Sequence, residues 1–138
     1  MAQVNVTRTL SAPTARVWEV VRAFGDVRWI PGGENGEIRG SGPGMVRIFA
    51  GPNGKIHEYL VSVDDATRTL VYTIPENPPF PVSGYRATMV VADDGGSGRL
   101  SWTCEFEPAG ASAEQAGKAI ETMYGVMIGW IQDLIDKG

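Results

Sequence analysis

Six short runs with strand patterning follow one another without an intervening helical period, and a long amphipathic helical pattern closes the chain. The runs cover residues 37–40, 45–49, 56–63, 69–74, 83–91 and 100–106. They are punctuated by Ser41-Gly42-Pro43-Gly44, Asp64-Asp65, the proline-rich stretch from Pro75 to Pro81, and Asp93-Asp94-Gly95-Gly96. A parallel crossover needs a dozen or more residues, usually a helix, so these short connections predict an antiparallel meander. A seventh strand opens the chain, where Val4, Val6, Arg8 and Leu10 alternate with Asn5, Thr7 and Thr9.

Between the first strand and the meander, Pro13 suits a first helical turn. Val17, Val20, Val21 and Phe24 then fall at i, i+3, i+4 and i+7, with Gly25 expected as the C-cap. Residues 26–30 read as a further short turn before Pro31-Gly32-Gly33. Ser112 and Gln115 fit a capping box for the last helix. Its expected buried stripe is Ala116, Ile120, Met123, Met127, Trp130 and Leu134, with Glu114, Lys118, Glu121, Gln132 and Asp136 opposite. The expectation is an α+β fold in the order β-α-α-β(6)-α: one seven-stranded antiparallel sheet curled around the long C-terminal helix, as a single domain over residues 1–138.

Charge and composition narrow the partners. Lys plus Arg is 12 and Asp plus Glu is 16, a net −4 over 138 residues. An acidic chain lacks the electrostatic footprint for sequence-independent nucleic-acid binding. The only cysteine, Cys104, and the only histidine, His57, exclude an internal disulfide and a cysteine-cluster or multi-histidine metal centre. The longest mostly apolar run, residues 123–131, contains two glycines and is too short to span a bilayer. Residues 1–10 lack a signal-peptide pattern, so a cytoplasmic protein without cofactor or metal is expected. Gly40-x-Gly42-x-Gly44 has the wrong spacing for a dinucleotide fingerprint and leads into a strand, not a helix.

The chain resembles the SRPBCC superfamily, the group of START, birch-pollen-allergen, polyketide-cyclase and abscisic-acid-receptor proteins. The resemblance rests on five patterns in order: Ala12-Pro13-Thr14-Ala15-Arg16-Val17-Trp18; Trp29-Ile30-Pro31; Gly40-Ser41-Gly42-Pro43-Gly44-Met45-Val46-Arg47; His57-Glu58-Tyr59-Leu60; and Trp102 followed by Phe106-Glu107-Pro108. It implies a helix-grip fold with an apolar cavity between sheet and C-terminal helix. Members bind lipids, hormones or polyketides, and a minority catalyse cyclisation or related reactions.

Arg47 and Glu58 are the candidate polar groups. Pairing Phe49 with Ile56 across residues 50–55 sets Arg47 opposite Glu58 on a face shared with Met45, Phe49, Ile56 and Leu60. An ion pair on an apolar face is desolvated and would anchor a ligand carbonyl, hydroxyl or carboxylate. The alternative is a cross-strand pair on the solvent face. The resemblance favours the cavity, since abscisic-acid-receptor relatives place a glutamate in their pocket at the position matching Glu58. His57 points to the other face of a regular strand and forms no dyad with Glu58.

Further expected lining residues are Trp29, Tyr72, Ile74, Phe80, Tyr85 and Ala87, with Ile120, Met123 and Met127 on the helix. Each reads equally as ordinary core. Simple alternation turns Trp102 inward with Leu100, Cys104 and Phe106, although one bulge would reverse the set. Cys104 reads as an inert small hydrophobe. Two loops, Gly51-Pro52-Asn53-Gly54 and the Pro75–Pro81 stretch, are gates or plain connections. Gly125 and Gly129 lie off the stripe and would admit another backbone, from the first-helix region or a second copy in a homodimer. The expected function is binding of a hydrophobic small molecule, such as a lipid, aromatic or polyketide-like compound. The alternatives are a polyketide cyclase/dehydratase-type enzyme with Glu58 as acid/base beside Arg47, and a co-chaperone-like module using the convex sheet.

Overall fold

The computed structural model describes residues 1–52 and 54–138; Asn53, in one candidate gating loop, lies outside the described residues. The elements run β1 (Ala2–Pro13), α1 (Thr14–Arg22), a 3-10 turn (Gly33–Asn35), β2 (Glu37–Arg39), β3 (Val46–Gly51), β4 (Gly54–Asp64), β5 (Thr69–Ile74), β6 (Val82–Asp94), β7 (Ser97–Pro108) and α2 (Ala113–Lys137). The strands form one sheet in the order β1-β7-β6-β5-β4-β3-β2, every pairing antiparallel. The expected sheet, first helix and closing helix are all present. Residues 26–30 turn without forming a helix, and the one helical piece between α1 and β2 is the 3-10 turn two residues beyond. Pro31-Gly32 displaced it, because Gly32 enters the turn with a positive φ of 76°.

α1 buries the expected stripe of Val17, Val20 and Val21, with Phe24 just beyond its end. Its C-cap is Ala23 at φ −81°, not Gly25, so the helix stops short of the glycine without a left-handed cap. Three side-chain hydrogen bonds fix the helix on β6 and on the turn after β4. Thr14 Oγ1 donates to Asp93 at 2.6 Å, while Trp18 Nε1 and Arg22 Nε both donate to Asp65 Oδ1, at 2.9 and 2.8 Å. The Trp18 bond, followed by the Arg22 bond, holds the Asp65 carboxyl below the usual carboxylate range.

The capping box of α2 forms as expected, with the Ser112 hydroxyl accepting from Gln115 N–H and the Gln115 amide accepting from Ser112 N–H. The sealed face of α2 is Ala116, Gly117, Ile120, Tyr124, Ile128 and Ile131. Met123, Met127, Trp130 and Leu134, expected to be buried, are half-buried at the flank. The cause is position: α2 lies mainly along β1, so the residues turned towards β1 and β7 are sealed and the methionine flank faces the sheet's open side. A side chain built at Gly125 or Gly129 would meet nothing within 4 Å. Of the two expected neighbours, the first-helix region is thus not in contact with these glycines. Among the described residues no helix is long and apolar enough to cross a membrane.

A β-bulge aims one inward tyrosine. The β6–β7 register shifts between Ser83 and Arg86, and Gly84 takes a φ of +62°. The extra residue changes the parity of β6: Val82 faces the core before the bulge, and Tyr85, Ala87, Met89 and Val91 face it afterwards. β7 carries Leu100, Trp102, Cys104 and Phe106 inward, all nearly inaccessible.

The seat of α1 on the sheet has a sharp test. A Cβ at Gly98 of β7 would fall 2.6 Å from the Val17 side chain and 3.3 Å from Thr14 Cα. Gly98→Ala is expected to lower the unfolding free energy by about 1–3 kcal/mol in urea titration. Adding Val17→Ala should then cost less than it does in the wild type. Strict additivity of the two substitutions would contradict this contact.

Candidate functional site

The register of β3 against β4 pairs Phe49 with Ile56 and Arg47 with Glu58. Both charged side chains lie on the inner face, 5% and 15% exposed respectively, so the solvent-face alternative is excluded. Arg47 Nε donates to Glu58 Oε1, and Arg47 Nη1 donates to the Phe24 carbonyl at 3.2 Å. The guanidinium carbon sits 4.0 Å from the centroid of the Phe24 ring, 5.6 Å from Tyr72 and 5.9 Å from Trp29. Removing a cation from water is costly, and here a carboxylate, a carbonyl and three ring faces stand in for the lost hydration.

Behind the pair the interior is filled. Trp102 stacks on Tyr124 with ring centroids 4.6 Å apart and planes at 18°, and Trp29 meets Trp102 edge-on at 6.3 Å. Tyr72, Tyr85 and Tyr124 converge by their hydroxyls. Trp102 Nε1 donates to Tyr72 Oη at 3.2 Å, Tyr72 and Tyr85 share a bond at 3.3 Å, and Tyr85 bonds Tyr124. These bonds meet the rule that buried hydroxyls find partners. Burial pushes all three phenols well above their ordinary range, and the Glu58 charge pushes Tyr72 up further, so all three remain protonated. Burial likewise raises the Cys104 thiol, in keeping with an inert side chain.

Among the described residues these rings occupy the space where the resemblance implies a broad hollow. What remains is a recess of about 130 Å³ lined by Glu58, Tyr72, Ile74, Pro79, Phe80, Tyr85, Met123 and Met127. β4, β5 and β6 supply its floor, the proline-rich loop one wall and the flank of α2 the other. Phe80 stands over Tyr85 with ring centroids 6.0 Å apart. Asn77 Nδ2 donates to the Lys55 carbonyl at 3.4 Å, tying the proline-rich loop to the β3–β4 hairpin.

The recess thus gathers seven residues expected from the sequence: Glu58, Tyr72, Ile74, Phe80, Tyr85, Met123 and Met127. Seven others lie elsewhere. Arg47 sits behind Glu58. Ala87, Trp102 and Ile120 are closed core, and Ile56 is buried. Phe49 packs where a side chain at Gly36 would stand. Trp29 lines a separate groove of about 290 Å³ with Arg28, Pro31, Trp130, Asp133, Leu134 and Lys137. Larger hollows lie on the polar outer side of α2, around Glu114, Lys118 and Thr122, and share none of the candidate residues. Tyr124 was missed by the sequence reading. Its spacing of four from Ile120 and from Ile128 was the available signal, obscured by the adjacent Met123 stripe. His57 lies on the outer face, stacked on Tyr59, with Nδ1 buried and without a hydrogen-bond partner among the described residues.

A family model described as polyketide cyclase / dehydrase and lipid transport matches residues 1–137. Among solved structures, a Thermobifida fusca protein is 32% identical, with 96% of this chain and 91% of that one covered and a TM-score of 0.81. XoxI from Bacillus cereus is 26% identical, covering 97% and 95%, also at 0.81. Norcoclaurine synthase from Thalictrum flavum, solved with dopamine and hydroxybenzaldehyde, is 19% identical over 98% and 86%, with a TM-score of 0.75, and shares the helix-grip fold. A search of curated proteins finds no match.

Removing one member of the ion pair should cost more than removing both. Arg47→Met is expected to destabilise the protein by about 3 kcal/mol, because it leaves Glu58 charged against apolar walls. Arg47→Met/Glu58→Leu should recover at least half of that loss in urea titration. A double variant as unstable as the sum of the single ones would contradict the coupling.

Proposed function

We propose, from the premise that this chain belongs to the polyketide cyclase / dehydrase and lipid-transport family, that it binds a hydrophobic small molecule in the recess between sheet and α2. The observation carrying this reading is the pairing of apolar walls with one oriented carboxylate. Ile74, Pro79, Phe80, Met123 and Met127 offer an apolar slot, and Glu58 brings to it a carboxylate whose Oε1 is held by Arg47. Arg47 immobilises one oxygen and leaves the other to accept from a ligand hydroxyl or amine. The two methionines suit an irregular or variable guest, since thioether side chains adapt their shape. A volume of this order limits the buried part to about one six-membered ring, judging by cavities of about 150 Å³ that take up benzene. Any larger ligand projects past Phe80.

A second reading is an enzyme of the cyclase/dehydratase type, with Glu58 as general base or acid. It is favoured by the position of a fixed carboxylate at the recess wall. Glu58→Gln separates the two: loss of turnover with retained affinity supports the enzyme, whereas loss of affinity in a protein without product supports the binder.

The binding test uses p-cresol followed by NMR. The expected result is shifts at the Met123 and Met127 methyls and the Phe80 ring, with affinity falling more than tenfold in Met127→Trp, which fills the slot from a half-exposed position. Unchanged affinity in that variant, or shifts confined to Trp29 and Trp130, would overturn the assignment.

A further inference from the structure

The hydroxyl chain contains one hydrogen more than its own three links use. Trp102 contributes an N–H that only donates, and Tyr72, Tyr85 and Tyr124 contribute one O–H each. Among the described residues these four groups are joined by three bonds: Trp102 to Tyr72, Tyr72 to Tyr85, and Tyr85 to Tyr124. Four hydrogens serve three links, so one hydroxyl hydrogen is left in every arrangement of the chain. Because burial holds the phenols protonated, the count stays the same across neutral pH.

The surplus hydrogen has two exits. If every link points inward, it ends on Tyr124 beside Cys104, whose sulfur is a weak acceptor. If the links reverse, it ends on Tyr85 or Tyr72, and both of these line the recess. Glu58 lines the recess too, but among the described residues it bonds Arg47 and neither hydroxyl. The inner end of the chain thus meets only a weak sulfur acceptor, while Tyr72 and Tyr85 at the other end are among the residues that line the recess.

We infer that the Tyr72–Tyr85 pair donates this unused hydrogen to a carbonyl oxygen of the ligand, so that the recess selects single-ring carbonyl compounds. The inference rests on the binding reading above and adds the chemical class of the guest. An oxygen acceptor in the recess draws the chain into its outward polarity. A guest with only an alkyl group at that position leaves the hydrogen on the sulfur side. Glu58 supplies the complementary acceptor, so a ring bearing both a carbonyl and a hydroxyl satisfies both poles.

The test compares 4′-hydroxyacetophenone with 4-ethylphenol, which keeps the ring and hydroxyl and lacks the carbonyl. The carbonyl stretch of 13C-labelled ketone is read by difference infrared spectroscopy. A donor in the recess keeps the bound stretch at or below its value in water, whereas an apolar recess without one raises it towards the value in alkane. The expected result is a low stretch in the wild type and an alkane-like stretch in Tyr72→Phe/Tyr85→Phe. In that variant the ketone should lose about fivefold in affinity while 4-ethylphenol is unaffected. Tyr124→Phe closes the route to Cys104 and should preserve or strengthen ketone binding. If the double variant does not fold, the wild-type stretch and Tyr124→Phe decide. An alkane-like stretch in the wild type, or weaker ketone binding in Tyr124→Phe, overturns the inference. Binding of 4-ethylphenol with exclusion of the ketone overturns it and leaves the binding site standing. Failure of both probes to bind overturns both.

Discussion

A guanidinium inside an apolar core must be matched from several sides, and the surroundings of Arg47 show how that is done. Glu58 supplies the opposite charge from the neighbouring strand, the Phe24 carbonyl accepts a second bond, and Phe24, Trp29 and Tyr72 turn ring faces towards the cation. Those partners come from β4, β5 and the loop that follows α1. One charge thereby ties the loop after α1 to three neighbouring strands of the sheet. It also fixes the rotamer of Glu58, and through it the one carboxylate that reaches the recess. The pair contributes specificity of arrangement more than net stability, since desolvation consumes much of the attraction.

The second constraint is volume. A curled sheet gripping a helix leaves a hollow unless large side chains fill it, and here Tyr72, Tyr85, Trp102 and Tyr124 do so. Aromatic rings fill space economically, yet their hydroxyls and indole N–H must bond one another in the absence of water. The result is an aromatic block with its hydroxyls linked to one another and a small recess beside Tyr72 and Tyr85. Capacity in this protein is thus set by the size of its interior tyrosines and tryptophan, not by the span of the sheet. The fold is shared with solved structures at TM-scores of 0.75 to 0.81, and here the filling leaves a recess of about 130 Å³.

The parts of this arrangement legible in the sequence were those governed by local rules. Turn composition around residues 50–55 set the hairpin register, and that register alone placed Arg47 against Glu58. Alternation in β7 ran without a bulge, so Trp102 faces inward as simple parity requires. The less legible parts depend on where elements dock. The helical period identifies an apolar arc on α2, but the choice between Met123 and Tyr124 as its centre follows from α2 lying along β1. The bulge at Gly84 announces itself only by a glycine within a strand. The dispersal of Trp29, Phe49 and Ile56 away from the recess reflects the size of neighbouring side chains, a three-dimensional quantity that periodicity does not carry.

Xenon uptake by crystals of the protein measures the interior space directly, because apolar voids bind it and filled ones do not. The account predicts a single site between Phe80, Met123 and Met127, and none against Trp102, Ala87 or Ile120. Xenon spread through the space between sheet and α2, or a recess that takes up none, would contradict it.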